Sequence, residues 1–200
     1  MKIYAIRYNN TGNIVTSWNE CLKLLDQYPS AEYKSFYNID EAKAFIKYED
    51  FWTKKINNDL NNNYCIAFTD GSYDDYSRQY SYGVLIILSN YKEIELSGVD
   101  NNKDYVSSRN IAGELFGAIR AINWAIVHSY KKIKIYYDYE GIEKWALNKW
   151  QAKSKIAKMY ISEYKKLINK IDIVFEKVKS HNGNEYNEKA DRLARLALCN

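Results

Sequence analysis

The sequence predicts an α/β protein: five strands alternating with helices over residues 64–200, preceded by a small three-stranded α+β domain over residues 1–50 and a linker over 51–63. Three observations predict this. From Tyr64 onward, apolar runs of strand length alternate with stretches of 3.6-residue period. The first fifty residues carry a smaller, complete set of strand, turn and helix signals. Between the two, residues 53–63 are polar and have no strong period, although the first part has some helical character.

In the small domain, residues 3–7 alternate and read as a strand, Asn9-Asn10-Thr11-Gly12-Asn13 is a turn, and residues 14–16 return as a second strand. Ser17 is placed to cap a helix over 18–27, with Glu20 completing a capping box. Residues 33–36 form a third strand. Asn38 or Asp40 then opens a helix reaching residue 48, with Ala42, Phe45 and Ile46 on one face. In the larger domain, strands are expected over 64–69, 82–88 and 92–97. A long helix over 110–128 follows, its apolar face made of Leu115, Ala118, Ile119, Ile122, Ala125 and Ile126. A fourth strand over 133–137, helices over 139–150 and 154–169, a fifth strand over 171–178 and a helix over 187–198 complete the order.

Twenty Tyr, six Phe and five Trp supply a sizeable core, and one Pro with eight Gly argues against a disordered or fibrous chain. The net charge of +4 is uneven: residues 1–52 sum to −1 and 53–130 to −2, whereas 131–200 carry 16 basic and 9 acidic side chains, net +7. A basic C-terminal third suits a polyanionic partner; a lysine-rich solvated face is the plain alternative. Cys21, Cys65 and Cys199 match no metal or redox spacing, which points to a reducing compartment. No apolar run reaches membrane-spanning length and no signal-peptide pattern opens the chain. The expectation is a soluble, cytoplasmic, monomeric protein without a membrane partner.

Four carboxylates stand out. Asp70 ends the run Tyr64-Cys65-Ile66-Ala67-Phe68, Asp138 ends the run Ile133-Lys134-Ile135-Tyr136-Tyr137, and Glu114 and Asp191 lie near the starts of two helical patterns. Acids at strand ends and helix starts can converge in an α/β domain, where they repel unless cations bridge them; a divalent-metal site follows. Each also has an ordinary account when taken singly. Asp70 could cap a turn before Gly71-Ser72, Glu114 could be a first-turn helix acid, Asp138 could cap the next helix, and Asp191 could pair with Arg195 four residues on.

Together with Phe68-Thr69-Asp70-Gly71-Ser72, Ala112-Gly113-Glu114-Leu115, Tyr136-Tyr137-Asp138 and the stretch from Val178-Lys179-Ser180-His181 to Ala190-Asp191-Arg192-Leu193-Ala194, these acids make the larger domain resemble type 1 ribonuclease H end to end. The resemblance implies a mixed five-stranded sheet and hydrolysis of the RNA strand of an RNA–DNA hybrid, giving 5′-phosphate and 3′-hydroxyl ends. It implies two Mg²⁺ ions, with Mn²⁺ as a substitute. Asp70 would bridge both, Glu114 and Asp138 would hold the ion on the leaving-group side, and Asp191 the ion on the water side. Hard oxygen ligands suit such ions. His181 would assist proton transfer or product release, and Ser72 and Asn110 would touch substrate. Three departures from the family pattern are visible: the acidic, aromatic Tyr73-Asp74-Asp75-Tyr76-Ser77-Arg78 replaces a glycine-rich turn, Asn110 stands where many members have two asparagines, and the segment after Asp138 is short. Trp145, Lys149, Trp150, Lys153 and Lys155 form either a reduced basic handle or a helix with a tryptophan core face.

Residues 1–50 resemble the hybrid-binding domain found at the N-terminus of many cellular members and in viroplasmin-like proteins, through Tyr4-Ala5-Ile6-Arg7, Gly12, Trp18-Asn19-Glu20-Cys21 and Tyr33-Lys34-Ser35-Phe36. The resemblance implies that Tyr4 and Trp18 pack on the DNA strand and that Lys34 meets the grooves; core packing and an ordinary surface charge are the alternatives. The expected function is an RNA–DNA hybrid endonuclease. A non-catalytic hybrid binder, or an integrase- or resolvase-type nuclease of the same fold, is the rival.

Overall fold

The computed structural model describes residues 2–8, 11–29, 31–46, 51–178 and 184–199. The chain divides into two units, Met1–Lys55 and Ile56–Asn200.

The first unit holds β1 (Ile3–Tyr8), β2 (Thr11–Val15), α1 (Trp18–Gln27), β3 (Glu32–Phe36) and α2 (Ile39–Ile46). The sheet is antiparallel in the order β2-β1-β3. Alternation along β1 sends Ile3 and Ala5 toward α2, where they pack with Ala42, Phe36 and Phe45. Tyr4 points to the other face and meets Trp18 of α1. Ser17 has the extended backbone of an N-cap but makes no side-chain cap bond, so the capping box with Glu20 does not form. Burial of Cys21 anchors the helix instead.

The second unit contains the C-terminal half of α3 (Phe51–Asn61), then β4 (Cys65–Asp74), β5 (Gln79–Ile87), β6 (Glu93–Asp100), α4 (Asn110–Val127), β7 (Lys132–Tyr137), α5 (Gly141–Ala146), α6 (Lys155–Leu167), β8 (Asp172–Lys177) and α7 (Glu185–Ala197). Its sheet has the order β6-β5-β4-β7-β8. The first two pairings are antiparallel and the β4–β7 and β7–β8 pairings parallel, giving a mixed sheet. Leu115, Ala118, Ile119, Ile122 and Ala125 of α4 form the centre of the main core with Ala67, Val84 and Ile135 of the strands.

Three segments differ from the sequence expectation. The stretch expected as a linker is mostly helix: α3 buries Ile56, Asp59 and Leu60, spaced as one helical face. Its anchor is an acid, which hid the pattern, because Asp59 accepts hydrogen bonds from Lys134 Nζ and Tyr136 Oη of β7. Asp70 lies inside β4 rather than at its end, since β4 continues against β5 as far as Asp74. The helix expected over 139–150 is reduced to α5. It closes where Asn148 takes φ 55° and the N–H groups of Lys149 and Trp150 turn back to the Lys144 carbonyl.

Candidate active site

Strand register builds the centre of the site. β4 and β7 pair in parallel from Cys65 with Ile133 to Phe68 with Tyr136. Asp70 and Asp138 each stand two residues beyond that last pair, so they are level with each other where the two strands part. This is the carboxyl end of parallel strands, where open α/β sheets place their ligands.

Two helices bring the other acids. A Cβ on Gly113 would lie 1.9 Å from the Ser81 carbonyl oxygen, and one on Gly71 would lie 2.4 Å from the Glu114 nitrogen. Only hydrogen at these positions lets α4 rest on the sheet backbone and carry Glu114 to Asp70. Gly83, the β5 partner of Asp70, does the same for α7: a Cβ there would lie 2.1 Å from the Ala190 carbonyl oxygen, next to Asp191. Adjacent strand residues face opposite ways, so α4 and α7 cover opposite faces of the sheet.

Asp70, Glu114 and Asp138 offer oxygens that all lie within 4.8 Å of one another. Asp191 lines the same cleft, which has a volume of about 530 Å³. Gly71 N–H donates to Asp70 Oδ1 at 2.7 Å, and the Glu114 carboxyl lies beside that of Asp70. Glu114 is 2% exposed, and among the described residues its Oε2 has no partner. Burial, reinforced by Asp138 and Asp191, pushes the Asp70 carboxyl up to about 7. Burial and the charges of Asp70 and Asp138 push Glu114 well above the usual carboxylate range. Nearby cations would relieve this. The donors are all hard carboxylate oxygens, one buried and unpartnered, which fits Mg²⁺ or a similar divalent ion and not a thiolate-bound one.

Ser72 and Asn110 also line the cleft, as do five residues that sequence reasoning left outside the site: Tyr73, Asp75, Arg109, Tyr139 and Arg195. Arg109 reaches Asp75 at 2.8 Å and lies over the Tyr73 ring, so the unusual β4–β5 turn is tied to the start of α4. Adjacency of Arg109 to Asn110 and of Tyr139 to Asp138 was the available signal. His181 lies outside the described residues. Of the single-residue accounts, Asp191 does pair with Arg195. Glu114 sits in the second turn of α4, and the N-cap of α5 is Glu140 rather than Asp138.

The lysine-rich segment is largely neutralised locally. Lys144 and Lys177 pair with Glu140, Lys149 with Glu143, and Lys155 with Asp104. Trp145 and Trp150 meet edge to face with Lys144 over the latter. In the first unit, Trp18 packs between Tyr4 and Tyr33 with centroids 5.2 and 5.4 Å away, and is 40% exposed. Lys34 is exposed on the neighbouring strand. These rings form an open aromatic surface, which answers the core alternative for Trp18.

Comparison with known proteins adds an independent observation. A family model described as RNase H matches residues 62–198, and one described as Ribonuclease H1 N-terminal domain matches residues 2–46. A ribonuclease H of Chlorobium phaeobacteroides is 30% identical over 145 residues, 68% of this chain and 95% of that protein. The crystal structure of RNase H1 from Halobacterium salinarum superposes with a TM-score of 0.56 at 19% identity, covering 68% of this chain and 97% of that one. The structure of LC11-RNase H1 in complex with an RNA/DNA hybrid superposes with a TM-score of 0.51 at 17% identity, covering 66% and 98%.

Proposed function

From the premise that the chain belongs to the ribonuclease H family, we propose that it is an endonuclease that hydrolyses the RNA strand of RNA–DNA hybrids and leaves 5′-phosphate and 3′-hydroxyl ends. The observation that carries this is the cluster of Asp70, Glu114 and Asp138 in an open cleft, with Asp191 beside it. Asp70 would hold two Mg²⁺ ions, Glu114 and Asp138 one of them, and Asp191 the other, with Mn²⁺ as a substitute. Such ions supply activation of a water for attack on phosphorus and stabilisation of the departing 3′ oxygen.

The chain's own groups do the rest. The Gly71 N–H bond fixes the Asp70 carboxylate, and the packing of α4 and α7 on the sheet fixes Glu114 and Asp191, so the acids are preorganised before substrate arrives. Ser72 and Asn110 line the same cleft, which supports a role for them in meeting the RNA strand, whose 2′-hydroxyl distinguishes it from DNA. His181 is assigned proton transfer or product release on the family pattern alone. The ring cluster of Tyr4, Trp18 and Tyr33 supports a second hybrid contact through stacking on sugars, and Lys34, exposed on the opposite side of β3, would add attraction to phosphates.

Cleavage of matched hybrid, duplex DNA and duplex RNA with Mg²⁺ or Mn²⁺ tests the reading. Selective loss of the RNA strand of the hybrid is expected; equal cleavage of duplex DNA would refute it. Deleting residues 1–52 should weaken hybrid binding while cleavage of saturating hybrid persists. Unchanged affinity at physiological salt would remove the first unit from the proposal.

A further inference from the structure

Asp191 differs from the other three acids. Asp70, Glu114 and Asp138 form the tight group, whereas Asp191 lies in the cleft outside it. Its Oδ1 is already taken, accepting from Arg195 Nε at 2.8 Å. Arg195 stands one turn further along α7, lines the same cleft, and is more exposed than its partner, with side-chain exposures of 62% and 25%. A guanidinium and a divalent cation seek the same carboxylate lone pairs. With the guanidinium on Oδ1, a cation is left the other oxygen and meets a positive charge beside it, so its hold on Asp191 is complete only when the guanidinium lets go. The helix holds the competitor four residues away, so it never dilutes.

Resting on the metal-site reading above, we propose that Arg195 is a built-in competitor for Asp191 that makes the cation position there weaker than the one at Asp70, Glu114 and Asp138. Arg195 is a positioning residue: it acts on the reaction through Asp191. When displaced, its guanidinium remains in the cleft, where a backbone phosphate is the natural alternative partner. Substrate that draws Arg195 away then favours the second cation, and the second cation favours substrate to the same degree.

The test is Mn²⁺ titration of the full chain without nucleic acid, by calorimetry and by the resonance signal of free Mn²⁺, for wild type, Arg195→Gln, Asp191→Asn and the double variant. Arg195→Gln should tighten the weaker step by about two- to fivefold, the range expected for an exposed ion pair. It should leave the tighter step alone and have no effect in the Asp191→Asn background. Equal tightening of both steps, or an effect that survives Asp191→Asn, would mean a simple change of net charge and would overturn the proposal. So would an unchanged weaker step. Absence of any Mn²⁺ binding by the wild type would overturn both this proposal and the metal site itself, whereas two-step binding insensitive to Arg195 overturns the competitor alone.

Discussion

Asp59 and Glu114 are equally buried, each 2% exposed, in the same unit. Asp59 is fully answered: Lys134 and Tyr136 both donate to it, and Glu176 adds a second acid to Lys134. Glu114 lies among acids, with the Gly71 N–H as its favourable neighbour, and among the described residues its Oε2 has no partner and no cation answers it. Burial is therefore the same, and partnership alone separates them. A buried acid with a cation and a donor is a bolt; one surrounded by acids awaits a ligand.

Four substitutions and titrations test that contrast. The largest effect should come from Asp70→Asn, which removes the shared acid of the cluster. Cleavage should fall by about a thousandfold or more, while hybrid binding survives; substantial remaining Mg²⁺-dependent cleavage would refute the metal assignment. Next, Asp59→Ala should lower unfolding free energy by about 3–5 kcal/mol, because it takes from Lys134 and Tyr136 the buried carboxylate to which both donate. Denaturant melts would show this, with specific activity of the remaining folded protein retained.

Third, pH should act on the cluster in a definite direction. Folded Asp70 keeps its proton up to about 7, against an ordinary value of 3.8, and Glu114 is shifted the same way. Between those values the folded state binds protons that the unfolded state has lost. Stability of the metal-free protein is thus undiminished below about pH 4 and declines as pH rises toward 7. Melting curves of wild type and Asp70→Asn should diverge over that window, the wild type becoming relatively weaker, and Mg²⁺ should close the gap. Parallel curves would contradict it. The smallest effect is expected for Glu114→Gln without metal: a modest stabilisation that grows as pH rises, opposite in sign to Asp59→Ala, because the amide carries no charge to be buried or crowded by Asp70 and Asp138.

Legibility in the sequence followed the same line. The apolar face of α4 is spelled out by Leu115, Ala118, Ile122 and Ala125, and the acids Asp70, Glu114 and Asp138 are marked by their placement after apolar runs or near a helix start, although β4 runs on past Asp70. Residues whose meaning depends on a distant partner were hidden. Asp59 looked like linker polarity because Lys134 and Tyr136 are more than seventy residues away. Ser17 and Glu20 had the right spacing for a capping box, yet spacing does not aim a side chain. The segment with Lys149 and Lys155 is open to two readings in the sequence, and part of what decides its charge is distant: Lys155 pairs with Asp104 and Lys177 with Glu140, 51 and 37 residues apart. Arg109 and Asp75 meet across 34 residues, beyond any local pattern.

The parallel register of β4 and β7 works as a ruler. Asp70 and Asp138 sit at the same mark, two steps past Phe68 and Tyr136. A single residue inserted between Tyr136 and Asp138 would move one carboxylate by about 3.3 Å and turn it to the other side of the chain. The strands would still pair and the core would still close, yet the two acids would no longer share a point in space. Insertions elsewhere, such as in the exposed turn at Asp75–Arg78, leave the ruler untouched. Whether an inserted residue spoils the site should therefore depend on whether it falls between a paired residue and its acid.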